Sequence, residues 1–397
     1  MKNYNVKTSV LVLFALLFFG CKNNSSITQE VEQQLSEDLF VNYSSPNKEF
    51  TVETFIDSNI QDITKQILLE SLQKTQSTFG SVMIMETNTG RIKSIVNIEK
   101  DSNDIYKASK RNFINTPTEP VCLFKTFSVI SLLEDQKADT STMHNANGGV
   151  VYFGDLQLRD FHYKFHNISL GSAYQYSLTT VIAKLVDTAY KNNPKKYVKN
   201  IDKFGLNASF YQMKQDFEIP NPDSSWGILA DLPWMSVGCD KHLRLTPLQF
   251  LTFFNTIAND GKMLEPLFLS KIKAKNGDEK VYDKPIFYNH SRYDGFSIKT
   301  TRKMQDLMRR QVTDGHSKHV HSDNVSISGY SSQKHLPKTW NSKDTEFSSR
   351  FIGYFPSEKP KYTIFVSIEN PKNRKKDNSI SGITFKKLAE ALNTMYR

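Results

Sequence analysis

The sequence predicts one α/β domain, an antiparallel sheet flanked by helices with a long helical stretch in the middle of the chain. Three observations predict it. Two strand-like runs near the start, 81–86 and 91–96, are joined by Thr87-Asn88-Thr89-Gly90, which reads as a hairpin turn. The centre of the chain carries mostly helical apolar patterns. Three more strand-like runs, 324–330, 350–355 and 361–369, follow near the end, so strands from both ends can share one sheet.

The helical elements are read in order. Residues 122–133 form a mostly apolar helix, and 172–190 read as one continuous helix. Thr246-Pro247 opens another, with Thr as N-cap and Pro in the first turn, running to about 259. Residues 298–312 make a further helix, and an amphipathic helix over 384–396 closes the chain. At 397 residues with 38% hydrophobic and 23% charged residues, the chain is long enough to bury a substantial core. No internal repeat divides it.

Composition narrows the setting. Lys2 and Lys7 precede an apolar core, 9–19, too short to span a bilayer comfortably, and Gly20-Cys21 follows with polar residues after it. A small residue before a cysteine at that place resembles a bacterial lipoprotein processing site, although Phe19 is bulkier than usual. The expectation is a signal segment over 1–21 with Cys21 lipidated, a polar tether over 22–50, and a domain over 51–397 at the periplasmic face of a membrane in the cell envelope. The net charge is +10, or +8 without Lys2 and Lys7, which suits an anionic surface. Nothing resembles a nucleic-acid motif or a metal-ligand spacing; His162, His166, His316, His319 and His321 fall in loops. No cofactor is expected. Cys239 reads as a small buried residue, and nothing argues for its pairing with Cys122.

From about residue 51 to the C-terminus the chain resembles the transpeptidase domain of bacterial penicillin-binding proteins, nearest the class B type. The resemblance rests on Glu86-Thr-Asn-Thr-Gly-Arg-Ile92, on Arg159-Asp160, and on Met235-Ser-Val-Gly238 followed by Thr246-Pro-Leu-Gln249 and Ile257-Ala-Asn-Asp-Gly-Lys262. Phe351-Ile-Gly-Tyr-Phe-Pro356 and Ile368-Glu-Asn-Pro371 match its final strands. The resemblance implies a penicillin-binding/β-lactamase-like fold. It also implies a ligand that is a peptidoglycan stem peptide or a β-lactam, and partners among cell-wall-synthesis proteins.

The family's reactive groups lie in Ser-x-x-Lys, Ser-x-Asn and Lys-Thr-Gly motifs. Here the first aligns as Cys122-Leu123-Phe124-Lys125, so the nucleophile is a thiol. Two readings stand side by side. Cys122 attacks an acyl group with Lys125 as base, its thiol ionising more easily beside an ammonium at a helix start; or Cys122 only fills the serine's space. The second motif aligns as Ser177-Leu178-Thr179, with a hydroxyl in place of the amide. The third falls on Tyr330-Ser331-Ser332, or on Ile327-Ser328-Gly329 in a shifted register, and neither supplies the lysine that attracts the substrate carboxylate. Lys334 is a possible substitute, Asp160 reads as structural, and Gly329 and Gly353 read as strand-packing residues. Departures in all three motifs favour a groove that binds stem peptide or β-lactam with weakened or lost catalysis. The alternative is a cysteine-nucleophile D,D-transpeptidase or carboxypeptidase using Cys122 and Lys125.

Overall fold

The structure, a computed structural model, describes residues 50–111, 113–160, 165–210, 231–240, 243–274, 277, 279–291, 293–337, 345–372 and 379–395. The signal segment, Cys21, His162 and all but the last residue of the 22–50 tether lie outside the described residues. Among the described residues no helix is long and apolar enough to cross a membrane.

In chain order, β1 (Phe50–Thr54) leads to α1 (Ser58–Thr75), the hairpin strands β2 (Phe79–Glu86) and β3 (Ile92–Lys100), and the short β4 (Tyr106–Ala108). The centre holds α2 (Phe124–Glu134), four short strands, β5 (Met143–Asn145), β6 (Val150–Phe153), β7 (Leu156–Arg159) and β8 (Asn167–Ser169), and then helices α3 (Leu170–Gln175), α4 (Thr179–Tyr190), α5 (Pro194–Lys203), α6 (Asp231–Ser236) and α7 (Pro247–Ala258). Strands β9 (Leu269–Ala274) and β10 (Glu279–Val281) form a small sheet with β1. The chain ends with α8 (Ile298–Thr313), β11 (Ser328–Pro337), β12 (Thr345–Phe355), β13 (Tyr362–Glu369) and α9 (Ile380–Met395).

The main sheet runs β11-β12-β13-β2-β3-β4, antiparallel throughout. Strands from the two ends of the chain therefore do meet, at the β13–β2 pair. Period-2 alternation divides the sheet's side chains between two cores. On one face Val82, Ile84, Phe351, Ile364, Val366 and Ile368 pack against α1 and α9 through Leu68, Leu72, Phe385 and Leu388. On the other, Met83, Met85, Tyr330, Ile352, Tyr354 and Phe365 pack against the helical centre, with Phe124, Phe127, Phe250 and Phe254 among their neighbours.

Local chemistry explains the element ends. The β2–β3 turn closes with the Gly90 N–H donating to Glu86 O at 3.0 Å. Gly90 has φ +77°, and a Cβ there would stand 2.4 Å from Glu265 O, so only glycine fits. Helix α7 starts with a full capping box, Gln249 N donating to Thr246 Oγ1 and Thr246 N to Gln249 Oε1, with Pro247 at the first position. Thr-Pro-Leu-Gln is thus a helix-start device.

One expected element is corrected. The run 172–190 is two helices, because the chain turns at Tyr176, Ser177 and Leu178. Leu178 N donates to Ala173 O and Ser177 N to Tyr174 O, the paired bonds of a Schellman ending, with Ser177 at φ +57° in the position usually given to glycine. Apolar periodicity runs through such a break because both helices bury the same side.

Gly329 and Gly353 face one another across β11 and β12. A Cβ at Gly353 would stand 2.3 Å from Ser328 O, and one at Gly329 2.5 Å from the Phe351 ring, so both serve strand packing. Gly353→Ala is expected to lower stability by about 2–3 kcal/mol, the cost of overpacking against backbone, read as an earlier midpoint in urea unfolding.

Candidate active site

Cys122 lies in a single 3₁₀ turn, Val121–Leu123, that runs directly into α2. Lys125 is one turn further on and 1% exposed, among the most fully buried side chains of the protein. An ammonium taken out of water is costly unless every donor finds an acceptor. Lys125 Nζ donates to Ser177 O at 2.7 Å, to Thr179 Oγ1 at 2.9 Å and to Ser177 Oγ at 3.3 Å. Those three bonds use its three donors. Among the described residues none of its hydrogen bonds goes to Cys122. The left-handed conformation of Ser177 presents both its carbonyl and its hydroxyl to this one cation.

Asp160 holds the same segment from its other side. Its carboxylate accepts from Thr179 N at 2.6 Å, from Thr180 N at 3.4 Å, and from the Thr180 hydroxyl, so it caps α4 from a distant segment. The helix has no side-chain cap of its own at Leu178. Asp160 is 7% exposed, and it and Lys125 approach Thr179 from its backbone and its hydroxyl respectively. The sequence suggested a structural role for Asp160, and the structure gives it this particular one.

The third wall is β11. Tyr330 is completely buried, and its hydroxyl shares a 2.9 Å hydrogen bond with Ser177 Oγ. Its ring packs on Tyr174 at 4.7 Å between centroids, and the Tyr174 hydroxyl in turn bonds the Thr126 hydroxyl of α2 at 2.9 Å. Of the two registers left open, Tyr330-Ser331-Ser332 brings its first residue to Ser177, whereas Ile327 is buried in the core on the α1 and α9 side. A phenol of β11 therefore faces the Ser177 hydroxyl. Burial raises the Tyr330 pKa well above that of a free tyrosine, and Cys122 is near enough that negative charge on its sulfur pushes the same way.

The remaining expected residues are placed less openly. Ser331 points to the opposite face of β11, where its hydroxyl is 2.9 Å from Ser317 Oγ. Ser332 shares the face of Tyr330 and is 3% exposed. Lys334 pairs with Ser348 in the strand ladder, and its side chain lies outside the described residues. Cys122, Ser177 and Thr179 are the partly exposed members of the group.

Two contributors carried no signal for chemistry in the sequence. Gly238, φ +75°, accepts from Val121 N at 2.9 Å, and a Cβ on it would stand 2.0 Å from Val121 O. It thereby holds Val121, a β-branched residue at φ +49°, immediately before Cys122. Arg350 is opposite Ser332 on β12 and donates to Glu119 O at 2.6 Å, anchoring the same segment from the sheet. Burial lowers its pKa to about 10, with Glu369 and Glu119 acting against that shift. Gly238 could be found from a short motif; a buried arginine on a strand could not.

The profile described as the penicillin binding protein transpeptidase domain matches residues 80–390. The chain belongs to the penicillin-binding protein transpeptidase family. Similar curated proteins include the peptidoglycan D,D-transpeptidase FtsI homolog of Mesostigma viride, 22% identical over 340 residues, which are 80% of this chain and 56% of that protein. Penicillin-binding protein PbpB of Mycolicibacterium smegmatis is 21% identical over 350 residues, 81% of this chain and 50% of that one. Among solved structures, the transpeptidase domain of penicillin-binding protein 3 from Burkholderia pseudomallei aligns with a TM-score of 0.69 at 19% identity, covering 89% of this chain and 97% of that one. Penicillin-binding protein 3 of Mycobacterium tuberculosis, complexed with aztreonam, aligns at 0.72 and 15% identity, covering 87% and 79%. At such identities the structural likeness establishes the fold. The chain spans between half and three fifths of the length of the curated relatives it matches.

Two outcomes test the site's electrostatics. In a double-mutant cycle, Lys125→Met and Asp160→Asn are each expected to destabilise. Their effects should be non-additive by about 1–2 kcal/mol, because both hold Thr179 and loss of either loosens the other's grip; additivity would mean that the two do not communicate through Thr179. Tyr330, Tyr174, Tyr197 and Tyr354 are all raised by burial. The unfolded chain releases these protons near pH 10 while the folded one keeps them. Stability is thus intact below pH 10 and falls as pH climbs above it, by up to roughly 1.4 kcal/mol per pH unit for each such group, measurable by urea unfolding between pH 8 and 11.

Proposed function

We propose that this protein is a penicillin-binding-protein-like lipoprotein of the cell envelope, anchored through Cys21. Its groove binds peptidoglycan stem peptides or β-lactams during cell-wall biogenesis, with weakened or lost turnover. The observation that carries this reading is the bonding of Lys125. Its three donors are committed to Ser177 O, Ser177 Oγ and Thr179 Oγ1, so no proton-accepting lone pair is directed at Cys122. The buried neutral hydroxyl of Tyr330 supports it further, because a phenol offers no charge to a ligand carboxylate. Cys122, Ser177 and Thr179 stay partly exposed, which suits a groove that still receives a ligand. The relatives' names supply the ligand class, since they are peptidoglycan D,D-transpeptidases and a penicillin-binding protein.

The partial exposure of Cys122 at the start of α2 favours a second reading, in which the thiol is a working nucleophile of a D,D-transpeptidase or carboxypeptidase. It asks Lys125 to exchange its present acceptors for the thiol when a ligand binds.

Incubation with a fluorescent penicillin, followed by gel filtration and intact mass measurement, separates the two. The expected result is reversible binding with no mass adduct, unchanged in Cys122→Ala. A covalent adduct that disappears in Cys122→Ala would establish the second reading, and absence of any binding would refute the groove itself.

A further inference from the structure

We propose that Cys122 and Cys239 form a redox pair at the mouth of the groove, and that oxidation joins them in a disulfide that closes the nucleophile position. Neither thiol is in a disulfide in the structure; Cys239, expected from the sequence to be buried, is exposed, while Cys122 is partly buried. They lie 117 positions apart in sequence, by subtraction of their numbers, yet the residues preceding them are in contact. Val121 N donates to Gly238 O at 2.9 Å, and the Cβ direction of Gly238 points at the Val121 backbone, 2.7 Å from its carbonyl carbon. Each cysteine is the next residue along. Standard peptide geometry then limits the separation of their Cα atoms to at most about 10 Å, against the 4.4–6.8 Å or so spanned by a disulfide. Closure needs at most a few ångströms of movement. Cys239 is the residue placed to make it, because it lies exposed at the end of a turn, its N donating to Trp234 O at 3.0 Å and its thiol to Val237 O at 3.8 Å, whereas Cys122 leads directly into the buried helix α2.

The chemistry balances with a small-molecule disulfide as oxidant. The Cys239 thiolate, the more accessible of the two, attacks one sulfur of the oxidant, forming a mixed disulfide and expelling one thiolate. The Cys122 thiolate then attacks Cys239 Sγ and expels the second. Two protein thiols lose two protons and two electrons, and the oxidant leaves as two thiols. The disulfide itself rests on chain geometry alone; its consequence, exclusion of ligand from the groove, rests on the groove reading proposed above.

The test is peptide mapping of the full-length protein under non-reducing conditions after exposure to glutathione disulfide. The expected product is one peptide pair linked through Cys122 and Cys239, reversed by dithiothreitol. In Cys239→Ser the pair disappears, and glutathione is found on Cys122. Separate glutathione adducts on Cys122 and Cys239, or links only through Cys21 or between chains, would overturn the proposal. Because this readout involves no penicillin, it can fail while the groove reading stands, and the groove reading can fail while the disulfide forms.

Discussion

The burial of the Lys125 ammonium is the constraint to which the rest of the site answers. A cation 1% exposed needs acceptors on every side, and those acceptors come from a segment more than fifty residues away. To supply them, the chain stops one helix at Gln175, turns Ser177 into the left-handed region, and starts another at Thr179. The new helix has no cap of its own, and the Asp160 carboxylate fills that role. Tyr330 then closes the arrangement from β11 through the Ser177 hydroxyl. Helix α2, the α3–α4 junction, the segment ending β7 and the edge strand of the sheet all meet at Ser177 and Thr179, whose positions are fixed by this one charge.

That convergence brings three elements of the fold to one place: a helix carrying position 122, a turn carrying 177 and 179, and an edge strand. The groups they present are a thiol, two hydroxyls and a phenol. A lysine whose three donors reach a carbonyl and two hydroxyls ties α2 to the α3–α4 turn. A phenol reaching Ser177 keeps the hydrogen bond there but brings no charge.

The sheet and most helices were legible in the sequence because alternation and capping residues are local signals. Thr246, Pro247 and Gln249 announce the start of α7, and Thr87 to Gly90 announce the β2–β3 turn, within a few residues. The break at Ser177 was not legible, because its cause is Lys125 and the 6→1 bond from Leu178 to Ala173, while a serine in that position gives no warning that glycine would. The register of β11 could not be chosen either. Ser, Gly and Tyr over 328–332 carry no charge to mark a face, and that Tyr330 reaches Ser177 is visible only in the structure. Arg350 was invisible for the same reason: its meaning depends on Glu119, 231 residues away in sequence.

The backbone around Cys122 argues that geometry, more than reactivity, is what this chain maintains. Val121 and Ser177 both sit at positive φ without being glycine, and each such residue costs of order 1–3 kcal/mol. Such conformations persist only where the surroundings over-determine them. Around Val121 they do, since Gly238 grips its backbone and Arg350 holds the Glu119 carbonyl two residues earlier. Nothing about packing a small side chain at position 122 requires that expense, because an ordinary helix start would bury Leu123 and Phe124 as well. Relaxing either residue would recover that cost, so the contacts of Gly238 and Arg350 at one, and of Lys125 and Tyr330 at the other, must outweigh it. That both remain strained makes the backbone beside Cys122 and at Ser177 the part of the site its neighbours determine most closely.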